Sequence, residues 1–350
     1  MSKVAVVILN WNGKHYLERF LHLLIKRTQI KDVEIVIADN CSTDGSQKWI
    51  KETHPEIRLI EFDNNYGFTG GYNRALEQIE ADYFLLLNSD VEVTPGWIQP
   101  LIAALDNNPQ IGICMPKIKS AFERDYFEYA GACGGYLDYF GYPFCRGRIL
   151  SFIEKDTAQY NQEREIFWAS GAAFMIRASL YRSLGGFDDT FFAHMEEIDL
   201  CWRAKLSGSQ VWAFPDSVVY HVGGGTLPNN SPLKLYYNYR NNLLMLYKNL
   251  PGNRLHFTIR FADDSRWPIC HNVPASRKAI IFQSRHQRSQ PLLGYEKADN
   301  PGRNPLQPQN HLNLQRQHCL LLLPVADEAQ IHRHRSAYQI TPLGLFCKAL

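Results

Sequence analysis

Three short stretches carry side chains whose types and spacing suit chemistry. In Met195-Glu196-Glu197-Ile198-Asp199-Leu200-Cys201-Trp202-Arg203, three carboxylates fall within one helical turn. Crowded carboxylates raise one another's proton affinity, which favours a general base. The same acids also suit a helix N-terminus, where the macrodipole favours negative charge, and Asp199 with Arg203 suits a purely structural ion pair. Asn88-Ser89-Asp90 follows the apolar run Tyr83-Phe84-Leu85-Leu86-Leu87. A carboxylate fixed at a strand end can hold a hard divalent cation that neutralises two phosphates, or it can simply close a turn. His221 follows Val218-Val219-Tyr220 and precedes Gly223-Gly224-Gly225-Thr226. A histidine before a glycine run can ligate metal while the loop closes, or it can be a satisfied core residue.

The first 90 residues show which elements could position such groups. Four times an apolar strand runs into a polar or glycine-rich motif. Val4–Leu9 leads into Asn10-Trp11-Asn12-Gly13, and Val33–Ala38 into Asp39-Asn40-Cys41-Ser42-Thr43-Asp44-Gly45. Ile57–Phe62 leads into Asp63-Asn64-Asn65-Tyr66-Gly67-Phe68-Thr69-Gly70-Gly71, and Tyr83–Leu87 into Asn88-Ser89-Asp90. Open α/β sheets bind ligands at the carboxyl ends of their strands, so these loops predict a nucleotide-dependent site. The glycines at 67–71 lack the GxGxxG spacing and the first-strand position of a dinucleotide loop, which disfavours a nucleotide-sugar dehydrogenase.

Helical stretches at His15–Lys26, Ser46–Thr53 and Gly71–Ile79 alternate with these strands over short connections, the pattern of a parallel sheet. Pro95 opens a helix over Trp97–Leu105, and Ile111–Pro116 reads as a further strand. Ala121–Glu165 loosens into Gly- and Tyr-rich sequence and reads as an insertion over the site rather than core. Beyond it the pattern gives a strand at Phe167–Ile176, a short helix to Leu184, the turn Gly185-Gly186-Phe187-Asp188 and a helix at Met195–Ser207. Strands at Val211–Phe214 and Val218–His221 and a helix at Leu233–Lys248 follow.

An apolar fraction of 45% is ample for a core, and a net charge of +2 is too small to argue for nucleic acid as a partner. The start runs directly into a strand with no leader-like segment, and no apolar run approaches the ~18 residues of a spanning helix. The eight cysteines form no CxxC, which points away from zinc and toward a reduced, cytoplasmic setting. Past about Phe257 the character changes: the last 90 residues hold half of the 12 histidines, with many Gln, Arg and Pro and no sustained period. Such composition cannot easily bury a core, so 257–350 is expected to be an atypical, poorly ordered tail. A reading-frame shift in the source gene would give the same change.

In order and spacing the chain resembles the family 2 glycosyltransferases, with their α/β GT-A fold, and within them the subgroup that includes rhamnosyltransferases. The matching pieces are the four strand-end motifs with Trp168-Ala169-Ser170-Gly171, Gly185-Gly186-Phe187-Asp188, Glu196-Glu197-Ile198-Asp199-Leu200 and Tyr220-His221. Coverage is roughly residues 3–255. The resemblance implies a mostly parallel, Rossmann-like sheet flanked by helices in a catalytic domain over 1–256, with a donor half to about 116 and an acceptor half from 117. It also implies an inverting single displacement from a UDP-, dTDP- or GDP-sugar to a hydroxyl of a saccharide or lipid-linked glycan, in bacterial surface-polysaccharide synthesis. It leaves room for peripheral contact with the inner face of the plasma membrane.

Carried over residue by residue, Asn10 lies at the nucleotide edge, and Asp39 accepts a hydrogen bond from the donor's pyrimidine ring. Asp44 and Asn73 line the nucleoside and sugar side. Asn88-Ser89-Asp90 stands at the family's DxD, with Asn88 in place of the first acid and Asp90 as the carboxylate for Mg²⁺ or Mn²⁺. His221 matches a second metal-ligand position. Glu196-Glu197 stands where Glu-Asp is common, which makes Glu197 the catalytic base, one methylene longer than usual. The rival expectation is a GT-A chain that binds nucleotide but is impaired in catalysis because its C-terminal region is disrupted.

Overall fold

The computed structural model describes residues 2–129, 131–149, 152–223, 232–252, 254–255 and 258. The expectation for the 257–350 tail lies outside the described residues, Thr258 apart. The chain divides into two compact units, Met1–Leu137 with Pro143–Leu227, and Asp138–Tyr142 with Pro228–Leu350.

In the first unit the elements run β1 (Ser2–Asn10), α1 (Lys14–Arg27), β2 (Val33–Asp39), α2 (Ser46–Thr53), β3 (Arg58–Glu61), α3 (Gly67–Glu77) and β4 (Ala81–Leu87). Then come β5 (Val91–Val93), α4 (Gln99–Asn107), β6 (Ile111–Ser120), β7 (Gly135–Leu137), β8 (Pro143–Cys145), β9 (Arg148–Ile149), β10 (Phe152–Ile153) and β11 (Arg164–Glu165). The unit ends with β12 (Ala173–Arg177), α5 (Ala178–Ser183), a 3₁₀ turn (Asp189–Phe191), α6 (Glu196–Leu206) and β13 (Gln210–His221).

The main sheet has the order β11-β13-β6-β12-β4-β1-β2-β3, with β5 on β13. β1 is parallel to β2 and β4, β2 to β3, and β6 to β13. β12 is antiparallel to both β4 and β6, so those two point the same way. The sheet is therefore largely parallel, as the sequence predicts, and β1, β2, β3, β4, β6 and β13 all end at one edge. Val4–Val7 and Phe84–Leu86 are fully buried, the near-continuous apolar reading of strands covered on both faces. α1 turns Leu17, Phe20, Leu21 and Leu24 inward at helical spacing.

Several boundaries differ from expectation for identifiable reasons. α3 begins at Gly67, four residues early, although glycine disfavours helix by roughly 1 kcal/mol. Tertiary contacts override that preference: the Phe192 carbonyl accepts from the Phe68 and Thr69 N–H groups, and a Cβ on Gly67 would lie 2.6 Å from the Phe192 ring. The strand expected at Phe167–Ile176 is regular only from Ala173, because 167–172 turn aside to line the site described below. The two expected strands at 211–214 and 218–221 form one, β13, whose register on β6 shifts between Phe214 and Val218. The shift is held by Ser217, fully buried with its hydroxyl on the Trp97 carbonyl, and by Thr94 Oγ1 donating to the Val218 carbonyl at 2.7 Å.

The 121–165 stretch is more than an insertion over the site. β7–β10 form their own four-stranded antiparallel sheet, and Phe127, Ala132, Cys133, Leu137 and Cys145 are buried. The Trp168 indole lies on Gly135, where an added Cβ would come within 1.8 Å of the ring. Gly135→Ala is therefore expected to cost at least the 1–3 kcal/mol typical of overpacking and to lower the melting temperature by several degrees, read by thermal denaturation.

The second unit contains α7 (Pro232–Asn249). Within it Asn242 Nδ2 donates to the Gly141 carbonyl at 2.8 Å, and Gly141, at positive φ, lies against Leu246. No helix among the described residues is long and apolar enough to cross a membrane.

Candidate active site

The ends of β1 and β2 are laced together. Asn10 Nδ2 donates to Asp39 Oδ2 at 2.8 Å and to Ser42 Oγ at 3.2 Å. The Asn12 N–H donates to Ser42 Oγ, and Asn12 Oδ1 accepts from the Thr43 N–H. Asp44 takes the Lys14 N–H on one oxygen and the Ser46 N–H on the other, joining the starts of α1 and α2. Asp39 is fully buried and also accepts from the Ser42 N–H and from Gln47 Nε2 at 2.7 Å. Its carboxylate thus organises the loop from within. Gln47, which sequence reasoning passed over, supplies that bond from the first turn of α2 with no motif to mark it. Asn10 Oδ1 is buried and has no hydrogen-bond partner. Asn40 carries the lacing onward, its amide bonded to Asn65, Tyr66 and Gly67 at the start of α3.

Asn73 is placed elsewhere. Its Nδ2 donates to the Phe187 carbonyl and Asp189, and its Oδ1 accepts from Tyr181 Oη at 2.6 Å and the Phe187 N–H. All of its amide capacity goes into clamping α3 to the turn after α5.

Asn88 is half-buried; its N–H donates to the Ala172 carbonyl at 2.9 Å. Two residues on, the buried Asp90 meets the buried His221, with Oδ1 3.1 Å from Nε2. Asp90 Oδ2 accepts from the Gly223 N–H at 3.2 Å. His221 Nδ1 faces a third buried group, Glu128, at 3.4 Å. Burial alone would raise the Asp90 carboxyl, but the His221 charge and hydrogen bonds hold it below its ordinary value. Burial would likewise discharge His221, yet its two carboxylate neighbours push it up to about 10. Glu128 lies in loosely patterned sequence with no signal to find it.

As a donor set for a cation, a carboxylate oxygen and an imidazole nitrogen in mutual contact suit Mn²⁺, and two protein ligands beside substrate phosphates suit Mg²⁺. Asp90 and His221 therefore fit the role once the imidazole gives up its proton. Glu128 does not join them: the two carboxylates lie on opposite nitrogens of the ring and cannot converge on one ion. Consistent with this, no group of three or more His, Cys, Asp or Glu among the described residues is arranged to hold a metal.

α6 starts at Glu196 after three left-handed non-glycine residues in four, Phe192, His194 and Met195, with φ of 63°, 70° and 73°. Such backbone is strained and persists only where the surroundings impose it. Glu197 accepts backbone N–H bonds, that of Gly171 among them, and one of its oxygens is buried with no hydrogen-bond partner. Burial pushes it up to about 7. Glu196, buried beside it, is likewise raised well above its ordinary value, by burial and by the Glu197 charge. Asp199 is fully buried and bonds Arg203 at 2.8 Å; Arg203 also donates to the Leu184 and Gly186 carbonyls. It is thus a structural ion pair tying α6 to the glycine turn. The segment Trp168–Gly171 links the parts: Trp168 packs on Gly135, the Ala169 N–H meets Cys201 Sγ, and Gly171 meets Glu197. Since Ala172 bonds Asn88, Glu197 and the Asn88–Asp90 turn are joined through neighbouring backbone groups.

The family profile described as glycosyl transferase family 2 matches residues 5–185. Over 236 residues the chain is 29% identical to N-acetylglucosaminyl-diphospho-decaprenol L-rhamnosyltransferase of Mycobacterium tuberculosis, covering 62% of this chain and 75% of that one. It is 25% identical over 214 residues to the O-antigen biosynthesis protein RfbC of Myxococcus xanthus, covering 60% of this chain but 16% of that one. Among solved structures, GalNAc-T7 with UDP, GalNAc and Mn²⁺ aligns with a TM-score of 0.57 at 16% identity, over 81% of this chain and 55% of that one. S. aureus TarS 1–349 aligns with a TM-score of 0.53 at 16% identity, over 81% of this chain and 78% of that one. At such identities these structures bear on the fold alone.

Proposed function

The chain belongs to glycosyl transferase family 2 and has its GT-A fold, and from that premise we propose an inverting transfer of a sugar from a nucleotide-diphosphate donor to a hydroxyl of a saccharide or lipid-linked glycan. The observation that carries this reading is Glu197, a carboxylate held by the Gly171 N–H, raised to about 7 and joined through Ala172 to the Asn88–Asp90 turn. A base of that strength removes the acceptor's hydroxyl proton as its oxygen attacks the anomeric carbon. Asn10, Asp39, Asp44 and Asn88 shape the donor edge, while Asn73 supports it indirectly by fixing α3. Asp90 and His221 would hold Mg²⁺ or Mn²⁺, which supplies charge neutralisation for the leaving diphosphate. The similarity to a mycobacterial rhamnosyltransferase named for a lipid-linked N-acetylglucosaminyl-diphosphate acceptor supports a role in glycan synthesis on such an acceptor.

A screen for nucleotide release from UDP-, GDP- and dTDP-sugars with Mg²⁺ or Mn²⁺ tests the reading. Release from none of them by the folded protein would favour a nucleotide-binding chain without turnover. With the active donor, kcat/KM is expected to rise with pH and level off above about 7, because the raised Glu197 must lose its proton to act. A profile flat from about pH 5.5 to 8 would remove Glu197 as the base whose ionisation limits the rate.

A further inference from the structure

We propose that Glu128 is a positioning residue for His221, its buried carboxylate holding the imidazole ring with Nε2 turned to Asp90. The inference rests on the reading of Asp90 and His221 as the cation-side pair. An imidazole can rotate half a turn about its Cβ–Cγ bond, which would exchange a nitrogen for a carbon on the Asp90 side. Contacts on both ring nitrogens, 3.1 Å to Asp90 and 3.4 Å to Glu128, select one orientation. Glu128 is 5% exposed and its own N–H is fixed to the Ile118 carbonyl at 3.2 Å, so the carboxylate is delivered by the end of β6 rather than by a loose loop.

Gly223 completes the arrangement. Its N–H goes to Asp90 Oδ2, the Val222 N–H goes to the Asp90 carbonyl at 3.1 Å, and a Cβ on Gly223 would lie 2.9 Å from Glu128 Oε1. The end of β13 is thereby fitted between Asp90 and Glu128 with no space for a side chain. An outer carboxylate behind a ligating histidine fixes the ring and raises its basicity, and losing one typically costs 10–100-fold in metal affinity. Glu128 belongs to the 121–165 stretch, which thus reaches the donor end of the site.

The test is Mn²⁺ binding to the full chain without nucleotide or sugar, followed by the electron paramagnetic resonance signal of free Mn²⁺, alongside thermal denaturation. Glu128→Ala is expected to weaken Mn²⁺ about 10–100-fold. Glu128→Gln should retain part of the affinity, because an amide of the same shape can still face Nδ1 across the 3.4 Å contact. Gly223→Ala, which displaces the carboxylate without altering charge, should weaken it too. If Glu128→Ala does not fold, the other two variants carry the test. Folded Glu128 and Gly223 variants with Mn²⁺ affinity within about twofold of wild type would overturn the proposal, provided that Asp90→Asn and His221→Ala bind weakly. If Asp90→Asn and His221→Ala bind Mn²⁺ as wild type does, or if wild type binds none, the cation-side reading itself fails and the proposal with it.

Discussion

Glu197→Gln is expected to lower turnover by about 10²–10⁴, the usual worth of a positioned general base, while nucleotide affinity stays near wild type. Glutamine keeps the carbonyl-type oxygen that accepts from the Gly171 N–H and removes only the basic oxygen. Stability should move the other way. The carboxyl is raised in the folded protein from 4.5 to about 7. Its contribution to stability is therefore fully present below about pH 4.5 and lost as pH rises through about 7. The glutamine variant should then melt higher than wild type at pH 8 and show no such advantage near pH 4.5. Single-turnover kinetics, nucleotide titration and melting at both pH values check the three parts. Wild-type-like turnover would take Glu197 out of the role, and collapsed nucleotide affinity would mean that the substitution damages the site rather than its chemistry.

The largest expected loss of stability comes from Asp199→Ala. Asp199 is fully buried, and its partner Arg203 is mostly so. Removing one member of a buried pair leaves an uncompensated charge and costs roughly 3–5 kcal/mol, on the order of 10 °C in melting temperature for a domain of this size. The double variant Asp199→Ala, Arg203→Met should recover part of that loss, since no charge remains unpaired. It should not recover all of it, because Arg203 also satisfies the Leu184 and Gly186 carbonyls. Denaturant unfolding of wild type, Asp199→Ala, Arg203→Met and the double variant gives the coupling directly, and full recovery would show that those carbonyl bonds contribute little. Activity should fall in both variants, as the same pair anchors the helix that begins with Glu196 and Glu197.

The front of the molecule was legible because its signals are local. Each strand among the first four is an apolar run ending in a polar motif, and α2 lies at Ser46–Thr53 as the pattern predicts. What escaped the sequence depends on contacts between distant segments. The glycines at 67–71 look like a loop until Phe192, over 100 positions later, supplies the carbonyl and ring that make a helix start there. Asn73 looks available for a ligand until the Phe187 turn takes both ends of its amide. Asp39 and Asp44 could be seen as polar strand-end groups, but not that their own neighbours satisfy them. Glu128 had no pattern at all; its N–H bond to the Ile118 carbonyl and the parallel pairing of β6 with β13 together bring it to His221.

The irregularity in β13 has a consequence for how the chain tolerates insertions and deletions. Before it Phe214 pairs with Pro116; after it Val218 pairs with Lys117, so three residues of β13 are looped out. Continued without interruption, the first register would set His221 opposite Glu123, three positions beyond Ser120, where β6 ends. At about 3.3 Å per residue that is roughly 10 Å past the edge of the sheet. Deleting Pro215, Asp216 and Ser217 would leave Val218 on Lys117 and His221 opposite Ser120, whereas drawing the three residues into the ladder would carry His221 away from Asp90. The looped residues hold surplus length outside the ladder, so that a histidine from late in the sequence still arrives against a carboxylate from early in it.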